Sequence, residues 1–166
     1  MKSEDAHYRT QIVDSLTEID EQEWQALLAL QEHRTPFLSY AFLSALEKHG
    51  CVGGDTGWHC RFLCLRLNTA LVGVIPLYEK HHSYGEYVFD WAWANAYHQH
   101  GLDYYPKLLA AIPFTPVSGN RLMAATPEAK QALIEALTQV RLLDGYSSTH
   151  LLFTSEDEAQ QLEQHS

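Results

Sequence analysis

The chain has 166 residues, a formal net charge of −10 at pH 7 and 46% hydrophobic residues. A chain of this size and composition forms one folded domain, which excludes disordered and fibrous proteins. Lysine and arginine are scattered singly, so the phosphate backbone of a nucleic acid would be repelled, and we expect no nucleic-acid partner. No apolar run approaches the ~20 residues of a membrane span, and the first residues lack the apolar block of a signal peptide, which favours the cytoplasm.

The first half of the chain carries clear helix and turn signals. Asp20 is a capping residue, and Glu23 three positions later completes a capping box that starts a helix. Ser39 is the cap of a second helix. The elements predicted by these signals and by residue alternation are a strand over residues 8–16, a helix running to about residue 33, a second helix ending before Gly50, and a β-hairpin over residues 58–67 and 70–79.

The second half mixes further strands with one long helix. In residues 87–93 every second side chain is aromatic, which predicts a strand with its rings on one face and Asp90 on the other. We expect that ring face to pack into the core rather than to form a ligand wall. The other predicted elements are an edge strand over residues 112–117, a helix capped by Thr126 that runs from Pro127 to Leu143, and a last strand over residues 150–154.

This order of elements predicts a mixed α/β (α+β) fold in which a mainly antiparallel sheet is flanked by helices. The elements end near residue 154, and the residues after it are mostly acidic and polar. We therefore predict one domain over residues 1–154, followed by an acidic polar tail over residues 155–166.

Aromatic and imidazole side chains are concentrated between residues 83 and 119. The part from Tyr84 to Tyr105 holds eight aromatic residues, and four histidines lie within it or just before it. An ordinary core segment would use Leu, Ile and Val. Rings with a polar tip are typical of sites where one end is dry and the other meets water or a ligand. We expect the functional site in this segment.

The same segment resembles a known family, the bacterial FemAB-like family of predicted N-acyltransferases in the GNAT superfamily, which is associated with peptidoglycan biosynthesis. The resemblance covers about residues 36–143. The blocks that carry it most specifically are Ser83-Tyr84-Gly85-Glu86-Tyr87-Val88-Phe89-Asp90-Trp91-Ala92, Tyr104-Tyr105-Pro106-Lys107-Leu108 and Pro113-Phe114-Thr115-Pro116-Val117. It implies a GNAT-like fold and the transfer of an acyl group to an amine. Chains of that family are longer, with two GNAT-like halves, and this sequence is similar to the N-terminal half.

The resemblance implies that this half forms the wall of a cleft for a small-molecule amine acceptor. An acyl-CoA or aminoacyl donor is implied for the complete protein, with its site in a missing C-terminal GNAT-like half. A GNAT domain that binds acyl-CoA has a glycine-containing turn at a helix N-terminus, where backbone amides hold the pyrophosphate. The corresponding residues 121–128 contain no glycine, Pro127 removes one amide and Glu128 adds a negative charge. We expect no tightly bound cofactor in this chain, and its cofactor-binding residues stay unknown.

Acyl transfer to an amine needs a base for the amine proton, hydrogen-bond donors for the oxyanion and an acid for the leaving group. The candidate catalytic residues are Asp90, Glu86, His98 and Tyr104. The candidate substrate-binding residues are Tyr84, Trp91, Trp93, His100 and Tyr105. For Asp90 the alternative is a structural carboxylate that bonds backbone amides or a neighbouring indole.

Two further points stay open at the level of sequence. His98 and His100 form a His-x-His pair, but spacing fixes no third ligand, so we expect no metal. The alternative function is a non-catalytic domain with a degenerate GNAT-like fold that binds a small molecule or a protein. The acceptor, the acyl donor and the oligomeric state, including an oligomer of this chain, are not determined by the sequence.

Overall fold

Two four-stranded sheets lie at the centre of the protein in a computed structural model that describes residues 7–165. The strands are β1 Tyr8–Val13, β2 Trp58–Cys60, β3 Phe62–Leu67, β4 Ala70–Ile75, β5 Leu77–Lys80, β6 Lys107–Ala110, β7 Met123–Ala124 and β8 Thr149–Leu151. The first sheet has the order β1-β3-β4-β7 and the second has the order β2-β5-β6-β8. The neighbouring strands are antiparallel except β6 and β8, which are parallel.

A single bent hairpin connects the two sheets. β2 continues through Arg61 into β3, and β4 continues through Pro76 into β5. Pro76 has no amide N–H to give to a strand ladder, so the ladder is interrupted there. At the same point the amide of Arg61 donates to the carbonyl of Leu77 over 2.8 Å. The predicted hairpin is confirmed, and each of its long strands is divided between the sheets.

Helices cover both faces of the first sheet. The helices are α1 Glu21–Ala29, α2 Tyr40–Lys48, α3 Trp91–Gln99, α4 Pro127–Asp144 and α5 Glu156–Glu163. Those that cover this sheet are α1 and α2 on one face and α4 on the other. Buried residues of α1 and α2, such as Trp24 and Leu43, form one core cluster, and those of α4 form a second one. Gly73 of β4 allows α4 to approach, because a Cβ there would lie 2.9 Å from Leu133 Cδ1. The predicted mixed α/β fold with mainly antiparallel strands and flanking helices is confirmed.

The predicted helix caps are confirmed. Asp20 Oδ1 accepts the amide of Glu23 over 3.0 Å, and Ser39 Oγ accepts the amide of Phe42 over 3.3 Å. Thr126 Oγ1 accepts the amide of Ala129 over 3.1 Å, which starts α4. These bonds satisfy amides that the first turn of a helix leaves without partners. α1 ends at Ala29, a few residues earlier than predicted.

The predicted strand over residues 87–93 is wrong. Tyr87 has a positive φ of 59°, and the chain enters α3 at Trp91. The rings alternate with Ala92, Ala94 and Ala96, and alanine is the best helix former. Three alanines therefore outweigh the period-two pattern of the rings. The predicted edge strand over residues 112–117 is also wrong, because that segment is turn and coil.

Residues after 154 contain a helix where a polar tail was predicted. Glu158 of α5 is 0% exposed. Its carboxylate accepts the backbone amides of Arg121 and Leu122, both over 2.8 Å. A charged side chain is buried only when such partners compensate its lost hydration. α5 is therefore part of the packed structure, held against the chain that enters β7.

Replacing Glu158 with alanine should destabilise the protein, because the amides of Arg121 and Leu122 would be left buried without partners. At the usual cost of an unsatisfied buried group, the loss is about 3 kcal/mol of unfolding free energy. Urea denaturation measures it. The matched control is Glu156→Ala in the same helical turn, which should cost less than about 1 kcal/mol because Glu156 is exposed. Equal losses in the two variants would contradict the buried role of Glu158.

Candidate functional site

Two buried lysines stand opposite each other on neighbouring strands of the second sheet. Lys80 ends β5 and Lys107 begins β6, and the two residues are paired in the antiparallel register. Their side chains are 0% and 1% exposed. Like charges directly opposite each other on a sheet repel, and this repulsion is stronger away from water. The pair requires negative charge nearby.

Two carboxylates from the chain between these strands supply that charge. Glu86 Oε2 accepts from Lys107 Nζ over 2.9 Å, and Asp90 Oδ2 accepts from it over 2.7 Å. Lys80 Nζ lies 3.8 Å from Glu86 Oε1. We call Lys80, Glu86, Asp90 and Lys107 the lysine–carboxylate cluster. Its four formal charges sum to zero.

The cluster is completed by hydroxyl and aromatic groups. Lys107 Nζ makes its third hydrogen bond to Ser83 Oγ over 3.0 Å, and Ser83 Oγ bonds Tyr105 OH over 2.7 Å. Lys80 Nζ lies 3.8 Å from the centre of the Trp58 ring and donates to the carbonyl of Tyr84 over 3.2 Å. A desolvated ammonium over an indole face gains electrostatic stabilisation. Each lysine is therefore held in one place.

A second layer of contacts orients Asp90. Tyr104 OH donates to Asp90 Oδ2 over 2.6 Å and lies 3.5 Å from His150 Nε2. His150 Nε2 also bonds Ser148 Oγ over 2.8 Å. Asp90 is the residue that precedes α3, but its side chain makes no capping bond to that helix. The carboxylate points to Lys107 and Tyr104 instead, so this residue serves the cluster rather than the helix.

The pKa values of the two carboxylates in the cluster are shifted in opposite directions. Burial raises the pKa of Asp90, but hydrogen bonds from Lys107, Tyr104 and Ser83 outweigh burial and bring it to about 2. Burial also raises the pKa of Glu86, and there the bond and charge of Lys107 offset only part of the effect. Asp90 thus stays ionised, while Glu86 is the carboxylate with the greater affinity for a proton.

The basic groups of the cluster are also shifted. Burial lowers the pKa of Lys80 to about 8, with the charge of Glu86 opposing the change and that of Lys107 adding to it. Burial lowers the pKa of His150, and the charge of Lys107 lowers it further. Burial and the hydrogen bond to Asp90 raise the pKa of Tyr104. His150 is therefore neutral near pH 7, and Tyr104 keeps its proton.

One oxygen of each carboxylate in the cluster makes no hydrogen bond within the described chain. Glu86 Oε1 and Asp90 Oδ1 are buried and have no hydrogen-bond partner among residues 7–165. Buried polar atoms without a partner are rare and costly. Each of these oxygens keeps lone pairs that can accept a proton.

An open cleft of about 340 Å³ reaches the cluster at Ser83. It is lined by Ser83, Tyr84, Gly85, Tyr87, Val88, Phe89 and Trp91. Ser83 connects the cleft to the cluster, because its hydroxyl accepts a hydrogen bond from Lys107. The cleft is largely aromatic, with this one polar group next to the buried charges.

The structure brings together only part of the predicted site. Among the predicted catalytic residues, Glu86, Asp90 and Tyr104 meet at Lys107, but His98 lies exposed on α3. Among the predicted substrate-binding residues, Tyr105 bonds Ser83. Two others, Tyr84 and Trp91, line the cleft. Trp93 and His100 are exposed and lie outside both.

The aromatic face predicted to pack in the core is on the surface instead. We call Tyr84, Tyr87, Phe89, Trp91 and Trp93 the aromatic patch, and their side chains are 74%, 61%, 81%, 63% and 67% exposed. The prediction failed because it assumed a strand with one buried face. In the observed turn and helix, Asp90 and Glu86 are the residues that point inward.

Sequence reasoning missed the two lysines, Ser83 and His150 as members of the site. Lys80 and Lys107 are 27 positions apart in the sequence, and they become neighbours only through the register of β5 and β6. One signal was available. Lys80 and Lys107 end and begin apolar strands, where an unpaired lysine would be costly.

A larger cavity of about 740 Å³ lies elsewhere, between β2 and the end of α2, and its lining includes Glu47, Cys60 and Arg61. Glu47 already accepts the amide of Leu16 and the thiol of Cys60, both over 3.1 Å. Arg61 pairs with Asp14. Burial and the hydrogen bond to Glu47 raise the pKa of Cys60, so its thiol is not an activated nucleophile. The smaller cleft is therefore the better candidate site.

Comparisons with known proteins agree with this fold. The sequence matches the FemAB-like family, described as peptidoglycan biosynthesis/recognition, over residues 15–166. The chain belongs to the FemAB-like family. The fold of this FemAB-like chain is similar to the crystal structure of ribosomal-protein-alanine N-acetyltransferase from Brucella melitensis biovar Abortus 2308. That match has a TM-score of 0.51 and 15% identity, and covers 95% of this chain and 89% of the other. Among curated proteins, none matches the sequence.

The FemAB-like chain therefore has a GNAT-like acyltransferase fold. Residues 121–128, compared in sequence with a pyrophosphate-binding turn, run through β7 to the first turn of α4. There the amides of Arg121 and Leu122 are occupied by the Glu158 carboxylate, and the Arg121 side chain donates to the carbonyls of Leu152 and Val117. The hydrogen-bond donors of Arg121 and Leu122 named here are therefore already bonded to acceptors of the chain itself. Within residues 7–165, no helix is long and apolar enough to cross a membrane.

Replacing Lys80 with methionine should change how stability depends on pH. The pKa of Lys80 in the folded protein, about 8, lies below its ordinary value of 10.5. In that interval the unfolded chain binds a proton that the folded chain does not, so stability from this group falls as the pH falls from the higher value to the lower. The difference in unfolding free energy, wild type minus Lys80→Met, should therefore decrease by roughly 3 kcal/mol as the pH is lowered through this interval.

Urea denaturation at a series of pH values across that interval gives the comparison. Lys48→Met is the matched control, since Lys48 is exposed and the same substitution there should leave the pH dependence unchanged. A wild-type minus Lys80→Met difference that stays constant across the interval would show that Lys80 is not desolvated.

Proposed function

We propose that this FemAB-like chain acts in N-acyl transfer, with the lysine–carboxylate cluster on the acceptor side of the reaction. The family and the GNAT-like fold support the reaction class. The observation that carries the proposal is Glu86, a buried carboxylate of raised pKa with one oxygen that makes no hydrogen bond among the described residues. Lys107 and Ser83 connect it to the open cleft. A carboxyl group poised in this way is suited to take the proton of an amine.

The acceptor is a small-molecule amine that enters the cleft and hydrogen-bonds Ser83. From there the hydroxyl contacts Lys107, which contacts Glu86. The amine loses its proton, which ends on Glu86, and the free amine attacks the acyl carbonyl. The ammonium groups of Lys80 and Lys107 stabilise the negative charge that develops on the carbonyl oxygen, because their field acts in a dry site.

The remaining candidate residues have supporting roles in this proposal. Asp90 stays ionised and holds Lys107, and Tyr104 fixes Asp90 by donating to it. Tyr104 is a poor acid for the leaving group because its pKa is raised. Lys80, whose pKa is about 8, is better matched to protonate a leaving thiolate. Tyr84, Trp91 and Tyr105 border the acceptor. His98, His100 and Trp93 have no direct role, because they are exposed and make no hydrogen bond to the cluster.

The donor in this proposal is an acyl-CoA or an aminoacyl compound. Residues 121–128 contain no glycine, Pro127 has no amide to offer, and Glu158 occupies the amides of Arg121 and Leu122. We therefore propose that the pyrophosphate of acyl-CoA is not held there, and that a second GNAT-like half supplies the donor site. The compartment that fits such donors is the cytoplasm.

A second candidate function is a non-catalytic binding domain. The specific observation in its favour is the same Glu158 carboxylate, since a chain that cannot hold a donor cannot transfer from it. Calorimetric titration with acetyl-CoA separates the two candidates. Saturable binding to this chain would place the donor site here, while absence of binding, together with absence of turnover in the complete protein, would favour the non-catalytic domain.

Glu86→Gln should lower the rate of acyl transfer in the complete enzyme by about 10²- to 10⁴-fold, the usual contribution of a general base. The amide has the shape of the carboxylate but cannot take a proton. The measurement is thiol release from acetyl-CoA with a panel of primary amines. Glu32→Gln, an identical change at an exposed position, is the control and should keep wild-type turnover. Wild-type turnover in Glu86→Gln would remove Glu86 from the mechanism.

A further inference from the structure

The lining of the cleft determines which kind of amine it can hold. It consists of four aromatic residues, one valine, one glycine and one serine: Tyr84, Tyr87, Phe89, Trp91, Val88, Gly85 and Ser83. None of these side chains is charged. Their polar groups are the hydroxyl of Ser83, two tyrosine hydroxyls and one indole N–H. A ligand in the cleft therefore meets mainly aromatic rings, with the Ser83 hydroxyl where the cleft reaches the lysine–carboxylate cluster.

The cleft is built on a fixed backbone. The carbonyl of Tyr84 accepts the indole N–H of Trp58 over 3.1 Å and the ammonium of Lys80 over 3.2 Å. The carbonyl of Gly85 accepts the amide of Phe114 over 3.1 Å. Glycine is required at position 85, because its φ is 81° and a Cβ there would lie 2.6 Å from the Phe114 ring. The rings of the lining therefore project from a backbone that is held in place.

The ammonium groups of the cluster are already engaged and cannot pair with an acidic group on a ligand. The three hydrogens of the Lys107 ammonium have three acceptors within hydrogen-bond distance. Lys80 Nζ donates to the carbonyl of Tyr84 and to His82 Nδ1. It also lies 3.8 Å from the centre of the Trp58 ring. A carboxylate or phosphate on the ligand would lose its hydration without gaining an ion pair.

Neutral polar groups on a ligand also find few partners in the cleft. Each hydroxyl of a sugar-like amine has one hydrogen to donate and two lone pairs, and the lining offers three hydroxyls and one N–H. One of those hydroxyls, Ser83, is already bonded to Lys107 and Tyr105. Polar groups that lose water without a new partner weaken binding. The lining thus disfavours amino acids, phosphorylated amines and amino sugars.

The rings favour an apolar body of limited size. The cleft volume of about 340 Å³ is near the lower end of the roughly 300–1,000 Å³ that is typical of small-molecule sites. The four rings of the lining are each more than 60% exposed, so a bound apolar group removes their surface from water. Aromatic faces also attract the ammonium form of an arriving amine. One ring with a short aminoalkyl arm matches these properties.

We propose that the acceptor is a primary amine on an uncharged, mainly apolar body about the size of one aromatic ring, and that Tyr84 and Trp91 select it. The body lies among the rings, and the amine reaches Ser83. When Ser83 donates its own hydrogen to Tyr105, its oxygen keeps one lone pair for the amine N–H. This inference rests on the acyl-transfer proposal, because it names the acceptor of that reaction.

Calorimetric titration of the purified chain with 2-phenylethylamine tests the ligand class without requiring turnover. We expect saturable binding at least about tenfold tighter than that of ethanolamine, which lacks the apolar body. Phenylalanine has the same skeleton with an added carboxylate, and phenylalaninamide has it with a neutral amide. Phenylalanine should bind at least about tenfold more weakly than phenylalaninamide, because the carboxylate finds no counter-ion in the cleft.

Trp91→Ala should weaken the binding of 2-phenylethylamine by at least about fivefold, because its ring lines the cleft. Trp93→Ala is the matched control, since that ring is 67% exposed on the same helix but does not line the cleft. The control should bind within about twofold of wild type. Alanine is a strong helix former, so both variants keep α3. Tyr84→Ala tests the lining again at a position outside the helix.

Kinetics of the complete enzyme separate this inference from the acyl-transfer proposal. With thiol release from acetyl-CoA as the measurement, Trp91→Ala should raise KM for 2-phenylethylamine and change kcat by less than about twofold. Glu86→Gln should keep the binding affinity and lower kcat. Selective binding without turnover would contradict acyl transfer and support the ligand class. Turnover with no preference for 2-phenylethylamine over ethanolamine would support acyl transfer and overturn the ligand class.

Three binding results would also overturn the inference. The first is absence of saturable binding of 2-phenylethylamine at millimolar concentration. The second is equal affinity for phenylalanine and phenylalaninamide, which would show that a cation in the cleft is available to the carboxylate. The third is an equal loss of affinity in Trp91→Ala and Trp93→Ala, which would show that the ligand is not held by the lining of the cleft.

Discussion

The pairing of Lys80 with Lys107 inside the second sheet is the constraint on which the functional region depends. The register of β5 and β6 puts the two ammonium groups side by side, away from water. Removing one partner from a buried charged pair typically costs about 3–5 kcal/mol, because the other charge is left uncompensated. The chain between these strands must therefore return two carboxylates to the lysines. Two features bring the carboxylates back to the lysines: Tyr87 turns the chain with a positive φ, and Asp90 points inward at the start of α3.

This constraint also explains why one segment has a polar inside and an apolar outside. A turn or a short helix has two sides, and the side facing the lysines is taken by Glu86 and Asp90. The aromatic residues between them are left on the outer side. The aromatic patch is thus a direct consequence of neutralising buried charge. Two carboxylates in different surroundings, one ionised and one with raised affinity for a proton, are the arrangement that acid–base enzymes use.

Local signals in the sequence predicted most of the framework. The caps at Asp20, Ser39 and Thr126 act through side chains three positions from their partners, so they can be read without knowing the fold. The hairpin of residues 58–67 and 70–79 can be predicted in the same way, because its turn lies between two strands that follow each other in the sequence. The family resemblance in the segment around Glu86 and Asp90 led to the right fold. Of the four catalytic candidates chosen from the titratable groups of the segment, Glu86, Asp90 and Tyr104 are close together in the structure. Their geometry, however, was not available from the residues alone.

What could not be predicted depends on contacts between distant parts of the chain. The period of two in the rings of residues 87–93 is compatible with a strand, and only the buried lysines decide that these rings face outward. Glu158 was assigned to a tail because its neighbours are acidic, and its buried partners are the amides of Arg121 and Leu122. The period of a pattern says which residues share a face, but not whether that face is covered.

The interruption at Arg61 and Pro76 separates the ladders of the two sheets. Strand hydrogen bonds run within each sheet, while the sheets are joined by the two chain crossings, by the bond from Arg61 to Leu77 and by two core clusters that each contain residues of both sheets. Leu109 and Ala110 of β6 are packed in these clusters against residues of β3 and β4, so the second sheet cannot open without exposing the core of the first. The amide hydrogens of the two sheets should thus be protected from exchange together, even though their ladders are separate.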